Sequence, residues 1–190
     1  MSPEVRKIKK AINSNGLQVE NTPIDGCFII QFPEHHDDRG TFYRKYCKEE
    51  FALKGLNTLW AQVNFSSNKK TGTLRGFHYQ KAPVSEIKLV TCVSGIVFDV
   101  ILDLRPNSAT YLKTFTIILE SESNKSIYIA KGVAHAYLTL ADNSAVTYQV
   151  SEKYSKENTC GVNYSDPKVN VDWPIVPTVV SENDLFWEPL

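Results

Sequence analysis

The hexapeptide Arg75-Gly76-Phe77-His78-Tyr79-Gln80 gathers side chains suited to proton transfer. Imidazole titrates near neutrality, so a positioned histidine can take up a proton and later return it. The chain has four histidines: His35, His36, His78 and His135. Taken alone, a histidine such as His78 is more often structural than catalytic, and its weight comes from its neighbours. It stands beside an arginine, just ahead of the β-rich run Lys88-Leu89-Val90-Thr91-Cys92-Val93. The run His35-His36-Asp37-Asp38 looks metal-like, but adjacent residues in a strand or loop diverge, so it reads as a solvated turn. A transition metal normally needs three or more converging ligands, and His78 with His135 are too few. The expectation is no metal.

Other classes are bounded by composition. Cys27, Cys47, Cys92 and Cys160 include no C-x-x-C pair, which argues against a zinc site or a redox pair and for free thiols. Lys and Arg total 21 and Asp and Glu total 21, with a pI near 6.9, so nothing draws the chain to nucleic acid or an anionic membrane. A local basic pocket for a diphosphate is still compatible with that balance. The first residues lack a secretory apolar core, and no 18-residue apolar run follows. A soluble, reducing, cytoplasmic setting is expected.

The elements that must position these groups are mostly strands. A length of 190 residues with 42% hydrophobic residues suits one domain spanning 1–190. Ser2 can cap a helix with Pro3 in its first turn, and Val5, Ile8 and Ile12 share a face, making 1–16 a helical appendage without chemistry. A second short helix is expected over 48–54, ended by Gly55. From Ile96 to Leu104 apolar residues alternate with a period of two, and 114–119, 126–129 and 145–150 read similarly. Gly95 reads as a turn. Many short strands with little helix give an all-β sandwich or barrel.

Landmarks in one order resemble the dTDP-4-dehydrorhamnose 3,5-epimerase family of cupin-like sugar-nucleotide enzymes. They are Asp38-Arg39-Gly40 with Phe42, Gln62 to Ser66, Arg75 to Gln80, Lys88-Leu89-Val90, Asp103-Leu104-Arg105, Gly132 to His135, Tyr148, Tyr154, Asp166-Pro167, Trp173-Pro174, and Ser181 with Asp184. The resemblance implies a cupin-type double-stranded β-helix, or jelly roll, with few short peripheral helices, and no cofactor. It implies inversion of C3, C5 or both in a nucleoside-diphospho-4-keto-6-deoxy sugar, through an enolate. By the same resemblance His78 is the base, Asp184 the carboxylate that orients it, Tyr148 the acid on the opposite face, and Lys88 the cation at the enolate oxygen. Arg39 and Arg75 are implied for the diphosphate, Gln62, Asn64 and His135 as hydrogen-bond partners, and Tyr154 as a stacking partner for the base. It also implies a homodimer in which Arg39 serves the neighbouring subunit's site.

Read without the resemblance, Asp184 would be a solvated C-terminal residue, Tyr148 a core tyrosine, Lys88 exposed and Tyr154 a loop residue. Metal-binding cupins carry a second histidine where this chain has Gln80, and Glu86 lies one step past their glutamate spacing. The chain departs from the family at Arg44 and Thr159, where glutamates are usual, at Asn183, where a basic residue is, and at Ala130 and Ala136. These departures put the identity of the sugar and nucleotide in question. Two alternatives stay open: a ketoisomerase on the same fold, and a non-catalytic cupin module that binds a sugar nucleotide.

Overall fold

The computed structural model of the protein describes residues 16–169 and 171–190. The helix expected between Ser2 and Ile12 lies outside the described residues. One six-stranded sheet has the order β1-β2-β10-β7-β12-β5, from Gln18–Asn21, Phe28–Gln31, Lys125–Ile129, Lys88–Ser94, Ser144–Val150 and Gln62–Asn68. The facing sheet runs β13-β6-β11-β8-β9, from Thr159–Gly161, Thr73–Gln80, Val133–Thr139, Ile96–Asp103 and Thr114–Glu120; β14 (Val179–Val180) adds to β6 in parallel. From β5 to β13 successive strands change sheet at every step except the β8–β9 hairpin. That alternation winds the chain into the double-stranded β-helix. The β7–β8 crossing is made at Gly95, whose φ is +69° and where an added Cβ would run into the Ser144 side chain. Only glycine accommodates both demands.

The expected short helix is α1, Lys48–Leu53, which buries Phe51. Phe51 packs with Leu17, Ile30, Phe32, Leu89 and Tyr128 on the outer face of the first sheet. The alternation of β8 has a different meaning from a half-solvated strand. Val97 and Ile101 face the space between the sheets, while Val100 and Leu102 pack outward against Val162, Val169 and Trp173. The C-terminal segment therefore covers the second sheet, and both faces of β8 are buried. The His35-His36-Asp37-Asp38 run is an exposed hairpin of β3 (Glu34–Asp37) and β4 (Gly40–Tyr43) rather than a turn alone.

Asp103, Arg105, Ser108 and Thr110 form one lock at the end of β8. The Asp103 carboxylate is fully buried and accepts bonds from Arg105 N (3.0 Å), Nε (2.8 Å) and Nη2 (2.7 Å). It also accepts from Ser108 Oγ at 2.6 Å and Thr110 Oγ1 at 2.7 Å. Burial opposes ionisation, but the guanidinium and hydroxyl donors outweigh it and hold the carboxyl well below the usual range.

A depressed folded pKa stabilises above the unfolded value, and that contribution is lost as pH falls through the folded one. The urea midpoint of the protein is therefore expected to fall as pH drops below about 4. Asp103→Asn should lower that midpoint at neutral pH and flatten its acid decline. An unchanged acid slope in Asp103→Asn would remove Asp103 from the account.

Candidate active site

A period-two strand would send Arg75 and His78, three residues apart, to opposite faces of β6. The pairing with β11 prevents this. His135 lies opposite His78 and Tyr137 opposite Arg75, so three steps on β6 match two on β11. The extra residue is a bulge at Gly76-Phe77, which returns Arg75 and His78 to the same inward face. Gly76 has φ +111°, and an added Cβ would strike the carbonyl of His135 and the Cα and Cβ of Ala136. The alanine at 136 is thus part of the close approach.

Between the sheets, one end is filled by an apolar core that includes Val90, Cys92, Ile101, Ile127 and Val146. The other end is a cavity of about 760 Å³, into which His78, Lys88, Tyr148 and Asp184 all face. Asp184 comes from α2 (Glu182–Leu185), a single turn whose N-cap Ser181 accepts the Asp184 backbone N–H. His78 Nε2 is 2.5 Å from Asp184 Oδ1. A carboxylate can only accept, so Nε2 carries the proton and Nδ1 is the basic nitrogen. Asp184 is buried, which works against ionisation. The hydrogen bond and charge of His78, the Gly76 N–H and the Ser181 hydroxyl prevail and hold its carboxyl below the usual range. The reading without the resemblance, a solvated C-terminal residue, does not hold there.

Lys88 begins β7 and is buried, its side chain 8% exposed. Its Nζ donates to the His78 carbonyl at 3.1 Å and pairs with Glu86 at 3.1 Å. Glu86 in turn accepts from Gln80 Nε2 at 2.8 Å. An ammonium has three donors, so this arrangement leaves one for a ligand. Tyr148 projects from β12 in the first sheet, across from His78 in the second. Burial raises its phenol above the ordinary value of 10.0, with Tyr137 and Glu86 adding to the shift and Arg75 opposing it.

Arg75, His135, Gln62, Asn64 and Tyr154 also line the cavity. Arg75 Nε is held by Asn68 Oδ1 at 2.8 Å, which leaves its terminal N–H groups for ligand oxygens. His135 Nε2 meets the buried Asp99 Oδ2 at 2.8 Å, a second histidine–carboxylate pair on the neighbouring strand. Gln62 Oε1 accepts the Tyr154 N–H at 2.7 Å and so fixes the loop bearing that tyrosine. Arg39 is the exception. It sits at the β3–β4 turn, 89% exposed and bonded to Asp37, and is not among the residues lining the cavity. Arg44 pairs with Glu50 at 3.9 Å beside α1, also away from the cavity. Thr159 and Asn183 do line it.

Sequence reasoning missed Glu86, Lys156 and Trp187, which share the lining. Glu86 was legible as the residue two before Lys88, hence on the same face of an extended chain. Gln80 is committed to structure: besides Glu86, it bonds the Lys153 carbonyl at 3.2 Å and the Ser155 N–H at 2.6 Å. Among the described residues, no group of three or more His, Cys, Asp or Glu side chains gathers as a metal would need. Among them, too, no helix is long and apolar enough to cross a membrane.

The model of the dTDP-4-dehydrorhamnose 3,5-epimerase family matches residues 21–190. The dTDP-4-dehydrorhamnose 3,5-epimerase of Methanothermobacter thermautotrophicus is 36% identical over 172 residues, covering 89% of this chain and 92% of that protein. A crystal structure of the Bacillus anthracis dTDP-4-dehydrorhamnose 3,5-epimerase with TDP and PPi bound is similar at TM-score 0.90. Its sequence is 31% identical, and the match covers 92% of this chain and 100% of that one. A 3'-monoepimerase from Streptomyces bikiniensis in complex with dTDP-quinovose matches at TM-score 0.82 and 29% identity, covering 87% and 84% of the two chains.

Gly76→Ala tests the bulge directly. A side chain at positive φ costs about 1–2 kcal/mol and overpacking about 1–3 kcal/mol more, so a loss of about 2–5 kcal/mol is expected. Denaturant unfolding measures it. A variant as stable as the parent would mean that β6 and β11 do not require the close approach.

Proposed function

The chain belongs to the dTDP-4-dehydrorhamnose 3,5-epimerase family, an isomerase family, and from that premise we propose that it epimerises a nucleoside-diphospho-4-keto-6-deoxy sugar at C3, C5 or both. The observation that carries the reading is a base and an acid on opposite walls of one cavity, with a buried cation beside the base. The 4-keto group acidifies the hydrogens at C3 and C5. His78 Nδ1 takes the proton, and the C–H electron pair moves into the enolate with its charge on the C4 oxygen. The spare N–H of Lys88 bonds that oxygen as charge develops. Tyr148 then gives its proton to carbon from the other face, and the configuration inverts. Asp184 holds the tautomer and steadies the imidazolium formed in between.

Arg75 binds diphosphate oxygens with its free guanidinium edge, where a fork matches oxygens in pairs. Asn64, Gln62 and His135 bond the sugar or phosphate, and Tyr154, 66% exposed at the rim, stacks on the base. The relatives include both 3,5-epimerases and a 3'-monoepimerase, so inversion at one carbon or two belongs to the same proposal. A reducing, cytoplasmic setting fits four free thiols, two of them buried.

Assembly completes the reading. β5 is an edge strand whose outer face exposes Val63 and Phe65, at 67% and 66%. A second copy covers that edge and brings its β3–β4 hairpin, with Arg39 and the exposed Phe42, to this cavity. Light scattering at micromolar concentration should give a dimer. Phe65→Glu should shift it toward monomer and lower turnover. A monomeric parent with full activity would refute the shared site.

The main test is isotopic. In heavy water with dTDP-4-keto-6-deoxyglucose, and without added metal or nicotinamide, deuterium should enter C3, C5 or both. His78→Asn should abolish exchange, since losing a general base costs about 10²–10⁴-fold. Tyr148→Phe should keep exchange on the starting face but impair inversion. Lys88→Ala should slow both about 10²-fold. Because the Tyr148 phenol lies above its ordinary value, its proton is kept to higher pH, and an alkaline limb due to it falls above about pH 10. Full activity in His78→Asn, or no exchange with any 4-keto sugar nucleotide, would overturn the epimerase reading.

A further inference from the structure

Trp187 follows α2 and reaches back to the dyad. Its Nε1 donates to Asp184 Oδ1 at 3.3 Å, the same oxygen that accepts the hydrogen bond from His78 Nε2. Its ring meets His78 edge-on, with centroids 6.3 Å apart and planes at 70°. The indole also lines the cavity. The ring also lies against Gly161 of β13, the register partner of His78, where an added Cβ would overlap the fused part of the indole. Gly161 is therefore a socket for this ring, required for space rather than for a special φ.

The segment carrying Trp187 is tied at both ends. Asn163 Nδ2 donates to the Leu185 carbonyl at 2.8 Å. The Leu190 N–H donates to the buried Asp166 Oδ2 at 2.8 Å, and Lys168 Nζ reaches the Leu190 carbonyl. With both ends held, the ring position is set by the fold and not by a free tail.

We propose that Trp187 is a positioning residue for the His78–Asp184 pair, fixing the plane of the carboxylate that orients the base. This rests on the epimerase reading for its kinetic consequence. A carboxylate joined to its backbone by two rotatable bonds can turn and offer either oxygen. Two N–H donors converging on Oδ1, with the Gly76 N–H at 3.4 Å from Oδ2, leave one orientation that satisfies all three. Nε2 of His78 is then held, and Nδ1 is aimed at the substrate carbon. Diphosphate and base bind elsewhere in the cavity, so the loss of the indole N–H should fall on turnover and not on binding.

Trp187→Phe retains an aromatic ring and removes the donor. It is expected to lower kcat about tenfold, the scale of one hydrogen bond to a charged group, with KM unchanged. In an Asp184→Asn background the same substitution should add nothing, because both act through one carboxylate. Gly161→Ala, whose added Cβ overlaps the ring and displaces it, should reproduce the kcat loss, so the result does not depend on one variant folding. Independent of turnover, the carboxyl ¹³C titration of Asp184 should move upward in Trp187→Phe, since a donor that favours the anion is gone. His78, Gly76 and Ser181 remain as its other partners in that variant. Additive losses in the double variant, a rise in KM alone, or an unmoved Asp184 titration would each overturn the proposal. The titration decides even if no sugar nucleotide is turned over, which separates this failure from failure of the epimerase reading.

Discussion

The close approach of β6 to β11 at Gly76 is the constraint on which the site depends. Backbone meets backbone there, with Ala136 on the far side and no room for a Cβ. The resulting bulge changes the phase of β6, so Arg75 and His78 share a face although they are three residues apart. The same Gly76 turns its N–H toward Asp184, so the distortion that aims the histidine also helps hold its carboxylate. A regular strand through this segment would send one of the two side chains out of the cavity.

Charge is handled by pairing in the polar half of the interior. His78 meets Asp184, His135 meets Asp99, and Lys88 meets Glu86, the last from the segment just before β7. A lone charge in such a place would be costly, and removing one partner of a buried pair would leave the other uncompensated. The pairs are incomplete in a useful way. Lys88 keeps one donor, His78 keeps Nδ1, and Asp99 Oδ1 is a buried acceptor with no partner among the described residues. The Asp103 lock, by contrast, spends both of its oxygens on Arg105, Ser108 and Thr110, which makes that run of residues structural.

The interior is also divided. Apolar side chains from both sheets close one end, and the cavity begins where Tyr137 and Tyr148 meet the polar face of β5. Tyr137 shows how the boundary is made: its ring packs in the core while its hydroxyl bonds Ser66 Oγ at 2.8 Å. Outside, α1 and the C-terminal segment cover the two sheets, so the barrel walls are buried on both faces where rigidity is needed.

Much of this was legible in the residues. Period-two runs marked β8, β9, β10 and β12, the helix at 48–54 was set by its pattern and Gly55, and the resemblance pointed to His78, Lys88, Tyr148 and Asp184 as one set. Local chemistry suffices for the strands and the helix, because strand period and turn glycines act over a few residues, whereas the site set rested on the resemblance. The phase shift at Gly76 was not legible, since a bulge is a relation between two strands and leaves no period of its own. Without the resemblance, the burial of Lys88 was not legible either, nor was the double burial of β8: each depends on what a distant segment places against it. Arg39 was named as a ligand group, yet its own chain leaves it in solvent, because it sits at the exposed turn between β3 and β4. Sequence alone determined which groups could do the chemistry and the strands that carry them. The tertiary structure decided which face each group takes and what it is paired with, because packing across the two sheets, not local preference, fixes register and burial.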